Sequence, residues 1–155
     1  MTIELRTVSR ADLGPLARLH AQCFAEDAWD AAALESILAM KGAEARLAEE
    51  AAQPVGLLFA VIVAEEAEIL TLGVAPRARR RGIARLLLGD LFARARALGA
   101  RCVVLEVAAD NSAALALYES IGFRTVGLRH GYYHRENGPA IDAWLLRASI
   151  DRDAG

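Results

Sequence analysis

Residues 74–89, VAPRARRRGIARLLLG, set five arginines within nine residues, Arg77 to Arg85, around one glycine. A strand-like run ends at Pro76, and an apolar helix opens after Gly82. The first N–H groups of a helix have no partner behind them, and with the helix dipole they favour an anion. Gly82 has no Cβ to hold phosphate oxygens off the backbone. Ala84 is also small, and Arg79, Arg80 and Arg81 add positive charge at the mouth. This arrangement suits a pyrophosphate. It is not a Walker loop, because no Gly-Lys-Ser/Thr is present, and it lacks the three glycines of the dinucleotide fingerprint. A solvated, arginine-rich helix start is the plainer alternative. A nucleic-acid patch fits poorly, since no aromatic residue interleaves the arginines.

Two further residues could move protons. Glu106 interrupts an apolar strand, VVLEVA, on the same face as Val104 and Ala108. A carboxylate there is costly unless it is paired or protonated. Burial raises a carboxyl pKa, which suits a general base. Pairing with an arginine or reaching water is the alternative. Tyr118 lies one helical turn beyond Ala114 and Leu115 in NSAALALYESIGF. Its hydroxyl could protonate a leaving group of similar basicity, such as a thiolate; a core tyrosine is the alternative. His20, His130 and His134 are scattered with no metal-ligand spacing, so no metal is expected. No Ser–His–Asp arrangement stands out. Cys23 and Cys102 lack metal or redox spacing and read as buried thiols.

The elements that position these residues follow from periodicity and turn chemistry. Residues 3–8 alternate like a strand. A helix follows with Asp12 as its cap, which leaves Pro15 in the first turn, where its missing N–H costs little. Leu16, Leu19, His20 and Cys23 fall near one face. Asp30 caps a short helix that ends by Gly42. Residues 44–50, 55–64 and 68–74 are three strands joined by tight turns, hence an antiparallel meander. A helix runs from Ile83 to about Leu98 with an apolar stripe of Ile83, Leu87, Leu91, Ala95 and Leu98. Arg85, Arg94 and Arg96 take its solvent side, and Gly99 ends it. A buried strand at 101–108 must pair in parallel with 68–74, because the helix between them is a crossover. Asp110 or Asn111 caps the next helix, which closes at Gly122. Two final strands are linked by a turn at Asn137-Gly138.

The fold expected is α/β: a mixed, largely antiparallel sheet with a central parallel strand pair and helices on both faces. At 155 residues, 55% of them hydrophobic and 25% charged, the chain suits one domain over 1–150 with a frayed tail at 151–155. A formal net charge of −2 makes the arginine cluster a local feature and argues against a nucleic-acid partner. The apolar run at 55–64 is far short of the roughly 20 residues that span a bilayer, and the N-terminus has no apolar signal core. No membrane partner is expected, and the protein is expected to be soluble and cytoplasmic.

Together these features resemble the GNAT acetyltransferases. Their Gln/Arg-x-x-Gly-x-Gly/Ala signature at a strand–helix junction is matched by Arg79, Arg80, Arg81, Gly82, Ile83 and Ala84, with alanine at the last position. The resemblance spans nearly the whole chain. Through EILTLGVAP, LEVAADNSAALALYESIGF, GYYHRENGPAIDA and FAEDAW it is similar to the group that acetylates ribosomal-protein N-terminal alanines. In NGPAIDA, a Pro-Ala-Ile stands where that group often has more polar residues. The resemblance implies acetyl-coenzyme A as cosubstrate, with Leu72, Gly73 and Val74 offering backbone groups to its pantetheine arm. The backbone from Arg79 to Arg85 would cradle its pyrophosphate, and Asn111 would contact its arm. Glu106 would be the base, directly or through water, and Tyr118 the acid. Trp29, Tyr132 and Tyr133 are candidate contacts for the acceptor, the α-amine of a protein N-terminus such as a ribosomal protein's. A lysine side chain or small amine is the alternative acceptor, and a non-catalytic coenzyme A-binding module the remote one.

Overall fold

The computed structural model describes residues 2–134, 136 and 138–150. The tail expected at 151–155 lies outside the described residues, as does Asn137 of the expected turn. The elements run β1 (Ile3–Thr7), α1 (Leu13–Cys23), α2 (Ala31–Leu38), β2 (Ala43–Glu50), β3 (Gln53–Val63), β4 (Glu66–Val74), α3 (Ile83–Ala97), β5 (Cys102–Ala108), α4 (Ser112–Ile121), β6 (Arg124–Tyr133) and β7 (Ile141–Ser149). Short 3-10 turns at Arg10–Asp12 and Pro76–Ala78 lead towards α1 and α3. This is the order expected from the sequence.

The seven strands form one sheet in the order β1-β2-β3-β4-β5-β7-β6. β4 and β5 run parallel, joined by the α3 crossover, and the other neighbouring pairs are antiparallel. β3 is buried without interruption from Val55 to Ile62, as a strand covered on both faces must be. Two glycines fix which helix covers which face. Gly56 pairs with Val74, and a Cβ on it would meet Ile83 and Leu87 of α3 at 3.1 and 3.2 Å. Gly73, the next residue on β4, points the other way, where a Cβ would meet Cys23 Sγ at 3.0 Å and Phe24 at 3.1 Å. α1 and α3 therefore lie on opposite faces.

Four local expectations need correction. Leu98 is 59% exposed, because it lies just past the last turn of α3, and Leu88 is the buried residue alongside Ile83, Leu87, Leu91 and Ala95. Arg94 is not on the solvent side but half-buried, paired with Glu44 of β2 and with Asp90 at 3.6 Å. Cys23 is only half-buried at the end of α1, whereas Cys102 is buried. Asp12 does precede α1, but its carboxylate turns back to accept from Ser9 N–H at 2.7 Å and Arg6 at 2.8 Å.

The site is set up by an irregularity in β4. Phe59 stands opposite Thr71 and Ala60 opposite Ile69, so Leu70 is an extra residue, a β-bulge. The β4–β5 ladder ends at the Ile69–Leu105 pair. β4 runs on to Val74 on β3, and β5 runs on to Ala108 on β7. Past the bulge the two strands have parted, and the sheet opens into a V.

Candidate active site

The V holds a cavity of about 450 Å³, walled by Leu70, Thr71 and Leu72 of β4, Glu106 to Ala108 of β5, and Asn111, Ala114 and Tyr118 at α4. A second cavity, about 720 Å³, is walled by Glu68, Leu70, Arg129, Tyr132, Tyr133 and Trp29. Both touch Asp27, Trp29, Ile69, Leu70, Glu106 and Tyr133. Glu106 thus stands where the two meet. Trp29 and Tyr133 line both cavities and Tyr132 the second.

Strand alternation buries Leu105 and Val107 and turns Glu106 to the other face, where its side chain is 19% exposed. Its Oε1 pairs with Arg129 Nε at 3.1 Å. Its Oε2 is buried with no hydrogen-bond partner. A buried polar atom left unmatched is costly, so this oxygen marks a place for a donor. Arg129 was not singled out in the sequence. It reaches Glu106 because β7 lies between β6 and β5: Arg129, Ala143 and Ala108 form one row, and Glu106 is two residues from Ala108. Ala143 is too small to obstruct the guanidinium, which also lies 5.2 Å from the Tyr132 ring centre. Glu68, on β4, has its carboxyl pushed up by burial and by the charges of Glu106 and Glu66, against the pull of Arg129.

Tyr118 is 7% exposed and meets Phe123 edge-on at 5.4 Å. Burial, and then Tyr133, push its hydroxyl well above the ordinary phenol range, so it is a protonated donor at neutral pH. Asn111, rather than Asp110, caps α4, with Oδ1 accepting from Ala114 N–H at 3.1 Å. Its NH₂ remains as a donor at the cavity wall.

At the strand–helix junction, Arg80 and Gly82 both adopt positive φ, +64° and +80°. The first backbone bond of α3 runs from Leu86 N to Gly82 O at 3.0 Å, so Ile83, Ala84 and Arg85 have no carbonyl behind them in the helix. Several arginine side chains are already engaged. Arg79 Nε donates to Val74 O at 3.1 Å, Arg81 pairs with Glu50, and Arg85 donates to Ser120 Oγ at 2.7 Å. Leu72 lines the cavity, while Gly73 is packed under Cys23 and the Val74 carbonyl is taken by Arg79.

In the sequence His20 stands out only as part of a helix face and as one of three scattered histidines. It is 2% exposed, between Phe24 and Trp29, with ring centres 4.6 and 5.1 Å away. Its Nδ1 accepts from Trp29 N–H at 3.0 Å, and its Nε2 lies 2.9 Å from Thr71 Oγ1. Among the described residues, no group of three His, Cys, Asp or Glu is placed to hold a metal, and no helix is long and apolar enough to cross a membrane.

Known proteins share this architecture. The acetyltransferase (GNAT) family profile matches residues 15–123. The chain is 39% identical over 158 aligned residues to the N-alpha-acetyltransferase RimI of Mycobacterium tuberculosis, covering 99% of this chain and 94% of that protein. It is 40% identical over 77 residues to the [ribosomal protein bS18]-alanine N-acetyltransferase of Salmonella typhimurium, a match spanning 50% of this chain and 52% of that one. The crystal structure of the ribosomal-protein-S18-alanine N-acetyltransferase from Escherichia coli aligns with a TM-score of 0.90 at 26% identity, over 99% of this chain and 97% of its own. Arabidopsis thaliana NAA60 in complex with a bisubstrate analogue aligns at 0.87 and 26%, over 98% and 100%.

Proposed function

The chain belongs to the acetyltransferase (GNAT) family, and from that premise we propose that it transfers acetyl from acetyl-coenzyme A to the α-amine of a protein N-terminus, with a ribosomal-protein N-terminal alanine as the leading acceptor. The observation that carries this reading is the meeting of two cavities at a half-buried carboxylate with one buried, unmatched oxygen. The donor enters along the V, its diphosphate on the N–H groups at the start of α3 and its arm against Leu72 and Asn111. The acceptor enters from the side of Trp29, Tyr132 and Tyr133. An α-amine has a pKa of roughly 7.7–8.0, so a share of it is neutral near pH 7. Oε2 of Glu106 takes the remaining proton, directly or through one water, and the nitrogen attacks the thioester carbon. Charge gathering on the thioester oxygen is met by an N–H on the free edge of β4 past Ile69. As the C–S bond breaks, the Tyr118 phenol protonates the departing thiolate, and the proton that the nitrogen sheds in becoming the amide restores the phenol.

The relatives named for N-terminal acetylation favour a protein N-terminus over a free small amine. A thiol-release assay decides it. Peptides beginning with alanine are expected to release coenzyme A, and the same peptides with a blocked α-amine are not. Turnover confined to lysine side chains, polyamines or other small amines overturns the proposal.

A further inference from the structure

We propose that His20, as the neutral imidazole with its proton on Nε2, is a positioning residue that hangs the 24–29 loop from Thr71 of β4 and so sets the wall shared by both cavities. The loop leaves α1 at Phe24, whose N–H bonds to His20 O at 2.8 Å. It returns at Trp29, whose N–H bonds to Nδ1 of the same residue at 3.0 Å. One residue therefore closes the loop at both ends. The tautomer follows from the partners. Nδ1 faces an N–H donor and must accept, so a neutral ring carries its proton on Nε2 and donates it to Thr71 Oγ1 at 2.9 Å. An imidazolium would set a second N–H against that of Trp29.

The position matters because of what the loop carries. Trp29 and Asp27 line both cavities, and Thr71 follows the Leu70 bulge at which β4 leaves β5. The imidazole thus ties the acceptor-side wall to the free strand edge that faces the donor. Stacking on Trp29, with only 14° between the rings, holds the indole flat against it. Of the charged groups around the ring, Asp27 in the loop favours the imidazolium. Glu26, Glu106 and Asp110 line the same cavity, and the Cys23 thiol on α1 is pushed up by its own burial. Burial of the imidazole dominates and lowers its titration to about 4.

The effect on catalysis rests on the proposed peptide acceptor; the tautomer does not. In wild-type protein, nitrogen-15 spectra of the histidine rings are expected to show His20 protonated on Nε2 and unchanged from pH 7.5 to 5.5. A proton on Nδ1, or titration near the ordinary value of 6.5, overturns the proposal, whatever the acceptor is. The kinetic arm compares two amides. In His20→Asn, Oδ1 can replace Nδ1 and accept from Trp29; in His20→Gln, only the bond to Thr71 can be replaced. Because small misplacements of a reacting group are costly, the Gln variant is expected to raise the peptide KM about tenfold and the Asn variant less than about threefold. The acetyl-coenzyme A KM is expected to hold within about twofold in both, since the proposed donor anchors, the start of α3 with Leu72 and Asn111, are not held by the imidazole. Equal peptide effects in the two variants, or a donor KM that moves with the peptide KM, overturn it. If wild-type protein acetylates no peptide, the proposed function fails, and the spectra still decide the role of His20.

Discussion

The two oxygens of Glu106 sit in different surroundings: one is held by Arg129 and the other is buried and unmatched. Glu106→Gln keeps an acceptor for Arg129 and removes the base, so kcat is expected to fall by about 10²-fold or more. A kcat equal to wild type across pH would return Glu106 to a structural ion pair. Tyr118→Phe keeps the edge contact with Phe123 and loses only the hydroxyl. It should lower kcat and leave acetyl-coenzyme A affinity within about twofold; a folded variant with normal turnover would make Tyr118 a core residue only. His20 carries a stability effect as well. Its folded value of about 4 lies below the ordinary 6.5. Between these values the unfolded chain binds a proton that the folded chain refuses. Stability is therefore full above pH 6.5 and is lost as the pH falls to 4, by up to about 3 kcal/mol. Urea denaturation at pH 7 and 4.5 should show a smaller loss in His20→Gln than in wild type. Glu106 could be singled out in the sequence as a candidate because it interrupts an apolar strand, and Tyr118 because it stands one helical turn from Ala114 and Leu115. Arg129 and His20 could not, because their partners are reached across β7 and across the packing of α1 on β4, and no local pattern reports either.

At the scale of elements, the anion cradle is a backbone feature. Arg79, Arg81 and Arg85 have their side chains committed to Val74 O, Glu50 and Ser120, while the first N–H groups of α3 have no carbonyl behind them in the helix. A Cβ at Gly82 meets nothing within 4 Å, so Gly82→Ala is penalised only by its φ of +80°, about 1 kcal/mol. Gly82→Asp adds the same strain and a negative charge at the phosphates, and is expected to raise the acetyl-coenzyme A Kd by about tenfold or more. Arg80→Ala should have a smaller effect, because it leaves the row of N–H groups in place. Isothermal titration of both variants checks this; a larger loss in Arg80→Ala would assign the phosphates to side chains. The strand–helix order around this cradle was readable from short turns and from the length of α3. Two features were not: the insertion of β7 between β5 and β6, and the bulge at Leu70. β7 takes its place through Ala143 and Leu146, both buried with no exposed surface, a choice set by packing rather than by local propensity. Leu70 looks like any other residue of an apolar strand until the register with β3 is known.

For the molecule as a whole, the V divides the sheet into two wings, β1 to β4 on one side and β5, β7 and β6 on the other. Within the sheet they are joined by the short ladder from Glu66–Cys102 to Ile69–Leu105. A ligand held by the start of α3, the free edge of β4 and the end of β5 touches both wings and is bound by the folded chain alone. At a concentration 100 times its Kd, such a ligand adds about 2.7 kcal/mol. For a chain of this length each kcal/mol raises Tm by about 2–4 °C, so saturating acetyl-coenzyme A should raise Tm by about 5–10 °C. Gly82→Asp should lose about half of that shift or more, since the diphosphate anchor is weakened. Glu106→Gln should keep it, because its loss falls on proton transfer and not on donor binding. A full shift in Gly82→Asp would place the donor away from α3. A shift lost in Glu106→Gln would make that carboxylate a donor-binding group, and the two cavities would then no longer divide the labour between donor and acceptor.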